Sequence, residues 1–238
     1  MLFKSAIPSN IQVSHRSFKS MNVSKIFSRR SFFQSLIIGL IVVVASAHDV
    51  RADQAENARK FIQNLGDKAI SILSDKNVTK EAAAKTFHDM LVSDFDLDLL
   101  GKFAIGANNW KTATPAQRQE YQKLFEKLVV QIYNDRFSLF NGETWKVVDG
   151  KVEDDRDSYV SGIIIKPNPS AKPVHVDWRV RNKGGRQQVI DVIVEGVSMT
   201  VTQRSEFSAV IQKNGGDLDA FLKTLAERVV ASAPEPKD

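Results

Sequence analysis

The chain has no cysteine among its 238 residues. Disulfides, thiol nucleophiles and thiolate metal sites are therefore excluded, and an exported form must rely on core packing for its stability. Histidine is scarce, with four in all, and only His88 and His175 lie beyond residue 52. They are far apart and in no ligand spacing such as HExxH, so both read as ordinary surface histidines. No GxSxG elbow, Walker loop or dinucleotide fingerprint is present. The acidic run Glu153-Asp154-Asp155-Arg156-Asp157 lacks the glycine and distal glutamate of an EF-hand loop and reads as a solvated hairpin turn. Ser198 and Ser205 have no base close in sequence, and Lys183-Gly184-Gly185-Arg186 reads as a basic hairpin tip. The residues thus point to no catalytic group, no metal site and no cofactor, and to a protein that is not an enzyme.

A long hydrophobic run is also missing. The one apolar stretch covers Leu36 to Ala47, shorter than the roughly 18 to 20 residues of a spanning helix. Arg29 and Arg30 precede it, and two small-residue exits follow, Ala45-Ser46-Ala47 and Val50-Arg51-Ala52. These are the parts of a secretory signal peptide, cleaved after Ala47 or Ala52. A short uncleaved anchor, leaving a membrane-tethered interaction domain, is the alternative. Ser28-Arg29-Arg30-Ser31-Phe32-Phe33 resembles a twin-arginine signal, whereas the strongly apolar run suits the general secretion route; both routes stay open. Residues 1–27 are basic and serine-rich with no apolar period, and are set aside from fold reasoning.

Setting the leader 1–52 apart changes the charge balance. The whole chain has 33 Lys+Arg and 28 Asp+Glu, net +5. Seven of the basic residues and one acidic residue lie in 1–52, which leaves 26 basic and 27 acidic, net −1. The sequence pI of about 9.3 therefore belongs to the leader, and the case for a nucleic acid partner loses its footing. The remaining 186 residues suit one domain with a sizeable core, taken as 53–232 with a charged, proline-containing tail at 233–238.

Apolar residues three and four apart predict helices over Asp53–Ser74 and Thr79–Val92, and a shorter one over Leu97–Ile105 stopped by Gly106. Thr114-Pro115-Ala116-Gln117 is a capping box with proline at the first helical position, opening a broadly apolar helix to about Phe140. The period then changes to two. Thr144–Val148, Ser158–Lys166, Val174–Arg181 and Gln187–Val194 read as four strands. In the third, Val174, Val176, Trp178 and Val180 alternate with His175, Asp177, Arg179 and Arg181, giving one covered and one wet face. Asn182-Lys183-Gly184-Gly185 is a hairpin turn. Glu195-Gly196-Val197-Ser198 is read as a break, followed by helices to Lys213 and over Asp217–Val230, parted by Asn214-Gly215-Gly216. The order is helices, a four-stranded antiparallel meander, then helices: an α+β fold. Periodicity alone does not distinguish a solid core from one enclosing a cavity, and close packing favours the solid core. Asp177 and Asp191 fall on the polar parity of their strands, which argues against an enzyme with a carboxylate base in an apolar pocket.

Four ordered stretches carry a resemblance. They are Asp96-Leu97-Asp98-Leu99-Leu100-Gly101-Lys102-Phe103-Ala104-Ile105-Gly106; Trp110 to Phe125, with the capping box and Leu124-Phe125; Asp191-Val192-Ile193-Val194-Glu195-Gly196-Val197-Ser198-Met199 with Arg204-Ser205-Glu206-Phe207; and Gly215-Gly216-Asp217-Leu218-Asp219-Ala220-Phe221-Leu222. On these the chain resembles the MlaC-type, toluene-tolerance family of periplasmic lipid-binding proteins, departing where Ala107 and Ala220 stand at or near family glycines. The resemblance implies an α+β fold in which a twisted antiparallel four-stranded sheet is packed against N- and C-terminal helices and encloses an apolar cavity. It implies a periplasmic, monomeric carrier that shuttles phospholipid, or another apolar lipid such as a hopanoid, between an outer-membrane lipoprotein complex and an inner-membrane ABC transporter. The bound phospholipid is then cargo, and no cofactor is implied. The residues expected to line the cavity are Leu100, Phe103, Phe125, Leu128, Val129, Ile132, Tyr133, Trp145, Ile163, Ile165, Val176, Trp178, Val180, Ile190, Val192, Val194 and Met199.

Overall fold

The computed structural model of the chain describes residues 30–75, 77–137 and 140–231, with side chains from 51 onward except 80, 133–137 and 231. The expected leader before Arg30 and the expected tail lie outside the described residues. The chain divides between Ser46 and Ala47, and the fold belongs to the unit from Ala47 on. Among the described residues no helix is long and apolar enough to cross a membrane.

Five helices come first: α1 (Arg30–Ser74), α2 (Lys80–Asp94), α3 (Leu97–Ile105), α4 (Ala107–Thr112) and α5 (Pro115–Phe137). The sheet follows as β1 (Thr144–Val152), β2 (Asp157–Ile165), β3 (Val174–Lys183), β4 (Arg186–Val194) and β5 (Val197–Ser198), and the chain closes with α6 (Met199–Lys213) and α7 (Leu218–Ala231). The helix boundaries follow their caps. The Thr79 and Asp96 side chains accept from the N–H groups of Ala82 and Leu99. Gly106, at φ 87°, ends α3, where a glycine meets no Cβ penalty. Gln117 N–H donates to Thr114 Oγ1 while Thr114 N–H donates to Gln117 Oε1, the reciprocal pair a capping box requires. The short helix α4 carries no signal that the sequence reading recognised.

The sheet is an antiparallel meander in the order β1-β2-β3-β4-β5. It has five strands rather than the four expected. Glu195 and Gly196 both take positive φ, 49° and 79°, so the segment read as a break is a two-residue hairpin turn of the primed kind. Val197 and Ser198 then pair back onto Val194 and Ile193. Glutamate is a poor residue for that turn, which hid it. Its carboxylate explains its presence: Glu195 Oε1 accepts the His175 N–H at 2.6 Å, while Glu195 N–H donates to His175 O. Side chain and backbone together extend the β3–β4 ladder by one step.

One continuous core joins one face of the sheet to the helices. Its helical half is a set of ring contacts, Tyr121 with Phe125, Phe207, Phe221 and Trp110, at centroid distances of 5.9 to 6.5 Å. The Tyr121 hydroxyl donates to Gly101 O at 2.8 Å, and burial pushes its pKa well above the ordinary tyrosine value.

Candidate functional site

The strand registers fix which side chains share the covered face. Trp145 pairs with Ile164, Val147 with Gly162, and Gly150 with Val160. Across the next ladder Val160, Gly162 and Ile164 pair with Trp178, Val176 and Val174. Val176, Trp178 and Val180 then pair with Val194, Val192 and Val189. The covered face therefore carries Trp145, Val147, Val160, Ile164, Val174, Val176, Trp178, Val180, Val189, Val192 and Val194, all within the core or packed against it.

Helix α1 runs antiparallel to β1 along this face. Gln54 Nε2 donates to Asp154 O and Asp157 O, Gln63 Oε1 accepts the Val147 N–H, and Gly66 lies against Trp145. The C-terminal half of α1 thus lies beside the start of β1, and the chain joins the end of α5 to β1 through six residues.

Exposure is graded toward that end. In α1, Ala58, Ile62 and Leu65 are buried, whereas Ala69 and Ile72 are half-buried. In α5, Tyr121, Phe125 and Leu128 are buried, whereas Val129 and Ile132 are half-buried. On the sheet, Val160, Val180 and Val189 are buried, whereas Trp145, Ile164, Val174 and Val194 are half-buried. The half-buried residues pack against the core while keeping part of their apolar surface accessible. One end of the sheet is therefore closed, and the other presents apolar side chains from six elements.

The closed end is pinned by charge and backbone. Arg181 Nε and Nη2 each donate to the Asp157 carboxylate at 2.7 Å, and Arg179 reaches both Asp157 and Glu153. Residues 153–156 are the exposed hairpin turn expected, whereas Asp157, which ends the acidic run, is only 1% exposed. The Asp157 carboxylate raises the Arg181 pKa further above its ordinary value. The backbone N–H groups of Arg156 and Asp157 hold the Asp154 carboxyl below the usual range. Asp96 N–H donates to Val189 O, tying the α2–α3 junction to β4. A charged cleft of about 710 Å³ opens at this end between Asp98, Lys102, Arg156, Arg181 and Gly184. A second, of about 410 Å³, lies by Asn109, Gln212 and Gly215.

Of the residues expected to meet cargo, Phe125, Leu128, Val129, Ile132, Trp145, Val176, Trp178, Val180, Val192, Val194, Leu100 and Met199 are core residues or pack against the core. Four are placed otherwise. Ile163 and Ile165 pair with His175 and Thr144 on the opposite face; the apolar run Ile163-Ile164-Ile165 conceals the parity, and the inward member is Ile164. Phe103 is 43% exposed, with the Arg204 guanidinium 5.3 Å from its ring centre. Ile190 is buried but is the extra residue of a β-bulge between the Arg179–Asp191 and Val180–Val189 pairs, so Val189 takes the inward place expected of it. The side chain of Tyr133 lies outside the described residues. The sequence reading did not place Ile164, Val174, Val189 or the α1 residues Ala69 and Ile72 among the lining residues.

Glycine is demanded at two places by Trp145. A Cβ on Gly66 would stand 2.1 Å from Trp145 Cδ1, and one on Gly162 would stand 2.1 Å from Cη2. The indole is wedged between α1 and β2. Its ring lies 6.0 Å from that of Trp178, edge to face, and Phe95 continues the row at 6.3 Å.

The carboxylates considered for catalysis serve the fold. Asp177 accepts from Ser161 Oγ, and Asp191 accepts from Ser198 Oγ and from the Thr200 hydroxyl and N–H. Among the described residues no group of three or more histidines and carboxylates could hold a metal ion.

The geometry defines a class: an α+β domain whose apolar core is shared by helices and sheet and leaves apolar side chains half-buried at one end of the sheet. Residues 63–227 match the family model described as MlaC protein, and the chain belongs to that family. It is 26% identical over 204 residues to toluene tolerance protein ttg2D of Pseudomonas putida, covering 84% of this chain and 93% of the relative. It is 24% identical over 143 residues to the intermembrane phospholipid transport system binding protein MlaC of Haemophilus influenzae, covering 59% and 64%. In fold it matches a phospholipid-binding protein from Ralstonia solanacearum, solved with a phospholipid, at a TM-score of 0.63 and 24% identity, over 74% of this chain and 98% of that one.

Proposed function

We propose that the protein is a periplasmic lipid carrier that holds phospholipid acyl chains at the open end of its core. The observation that carries this reading is the ring of half-buried apolar side chains there, Trp145, Ile164, Val174 and Val194 from the sheet and Ile72 and Ile132 from the helices. Membership of the MlaC family, the phospholipid transport named for one relative and the phospholipid bound by the fold neighbour support it. The physics is that of exchange. Burying a methylene is worth about 0.8 kcal/mol, in the protein as in a bilayer, so uptake and release are nearly balanced. Partners at each membrane can then set the direction. In this reading they are an inner-membrane ABC transporter complex and an outer-membrane lipoprotein complex, the carrier acts as a monomer, and no bond is broken. The near-neutral charge beyond residue 52 keeps it from adhering to anionic headgroups. Native mass spectrometry of the exported protein is expected to find one phospholipid per chain; lipid-free protein that takes up none from vesicles would overturn the reading.

A further inference from the structure

Two aromatic side chains around the α3–α4 junction carry cations on their faces. The Arg204 guanidinium of α6 lies 5.3 Å from the Phe103 ring centre, and Lys102 and Arg118 lie 5.4 and 5.3 Å from that of Trp110. Among the described side chains Phe103 is the one exposed aromatic. Arg118 is engaged locally, donating to Trp110 O and Lys111 O. Arg204 and Lys102 are not: among the described residues neither has a hydrogen bond or a carboxylate partner. A guanidinium stacked on a ring keeps its N–H donors free at the rim and has less freedom to lose when they are engaged. Val201, 52% exposed, lies one turn before Arg204 on α6, so the two share a helix face. Val197, 53% exposed, precedes α6 and pairs with Val194. Exposed apolar side chains thus step from the end of β4 to Phe103.

The free charge here is mostly of one sign. Helix α4 has no acid, and the one carboxylate of α6, Glu206, pairs with Arg228. Asp191, beside the first turn of α6, is taken up by Ser198 and Thr200. Helix α3 contributes Asp98, one turn before Lys102. Lys102, Lys111, Arg118 and Arg204 are four positive charges within residues 53–238, whose net charge is −1, so the other residues of that segment sum to −5. A basic patch on an otherwise acidic domain orients an approaching anion. An anionic bilayer is a plane and would bring the acidic surroundings within a Debye length, about 8–10 Å, whereas a narrow protein segment reaches the patch alone. Aromatic and arginine side chains are also enriched where proteins meet. We propose that Lys102, Phe103, Val201 and Arg204 form a docking surface for an acidic segment of a partner protein. Its carboxylates meet the Arg204 and Lys102 donors, and an apolar side chain of the segment covers Phe103 and Val201. That the partner belongs to a membrane complex rests on the carrier reading; the docking surface itself does not.

The test puts the photo-crosslinking residue benzoylphenylalanine at position 201 of the full chain, in the cells that export it. Lys172, exposed between β2 and β3, is the control position. Mass spectrometry identifies the crosslinked protein and the residue attached. Position 201 is expected to give an adduct, absent at 172, on a protein segment that carries Asp or Glu beside the attached residue. Arg204→Glu and Lys102→Glu should each lower its yield by about tenfold or more, as juxtaposed like charges do, and Phe103→Ser should lower it as well. All three side chains are exposed, so native mass spectrometry should find the bound lipid per chain unchanged in each variant. No protein adduct at 201, an adduct whose yield charge reversal leaves unchanged, or one on a segment without carboxylates overturns the inference. Charge-dependent sedimentation with phosphatidylglycerol vesicles in the absence of a protein adduct also overturns it and assigns the surface to an anionic membrane. Wild type that carries no lipid overturns the carrier reading alone, because the adduct is read without reference to lipid.

Discussion

Trp145 is held from both sides by the absence of side chains, Gly66 from α1 and Gly162 from β2. A methyl group at either position would stand 2.1 Å from the indole, and the ring cannot retreat from one glycine without approaching the other. Overpacking of this kind costs about 1–3 kcal/mol. Either substitution recovers about 0.5–1 kcal/mol of backbone entropy, but Gly162 is buried where Gly66 is half-buried, so the structure has less room to yield at Gly162. Urea unfolding should therefore show Gly162→Ala as the more destabilised of the two. Asp157 is the second residue on which much depends. Its buried carboxylate accepts both Arg181 donors and a contact from Arg179. Asp157→Ala leaves two arginines facing each other without their shared anion. Both arginines are partly exposed and can recover some hydration, so a loss of about 2–3 kcal/mol is expected in the same measurement. Asp157→Asn should lose less.

At the scale of elements, the junction of β4, β5 and α6 is organised by one carboxylate. Asp191 accepts from Ser198 Oγ, and Ser198 Oγ in turn accepts the Val201 N–H as the cap of α6. Asp191 also accepts from the Thr200 hydroxyl and N–H. Asp191→Ala removes these acceptors at half-buried donors that water can partly reach, so thermal unfolding should report a loss of about 1–2 kcal/mol. Hydrogen exchange should quicken first at the N-terminal turn of α6. Most elements were legible from the sequence where chemistry is local. The capping box at Thr114, the stop at Gly106 and the Gly184-Gly185 turn each act within four residues, and the structure realises all three. Two features that escaped involve distant partners. At the turn into the fifth strand the Glu195 carboxylate reaches the His175 N–H twenty residues away, and the Asp157 carboxylate is paired with Arg181 from β3. No short window contains either pair.

For the molecule as a whole, the same division separates what the sequence tells of the site from what it does not. Alternation in β3 identified Val176, Trp178 and Val180 correctly as covered, because the wet positions there hold His175, Asp177, Arg179 and Arg181. In β2 the run Ile163-Ile164-Ile165 has no polar member to mark the face, and only the pairing of Ile164 with Trp145 and Val174 settles the parity. Slipping by one residue moves a side chain to the other side of the sheet. This gives a test in which neighbouring positions have opposite outcomes. Ile164→Asp puts a carboxylate among the half-buried residues of the open end, where an acyl chain would lie against it and desolvate it. Lipid loading from vesicles should fall by about tenfold or more, as a desolvation cost of at least 1.4 kcal/mol requires. Ile163→Asp puts the same charge on the opposite face beside His175 and should leave loading unchanged. Equal effects would place the cargo site somewhere other than the open end. A circular dichroism melt of both variants separates loss of lipid from loss of fold, since Ile164 is only half-buried and a single charge there can still reach solvent in the empty protein.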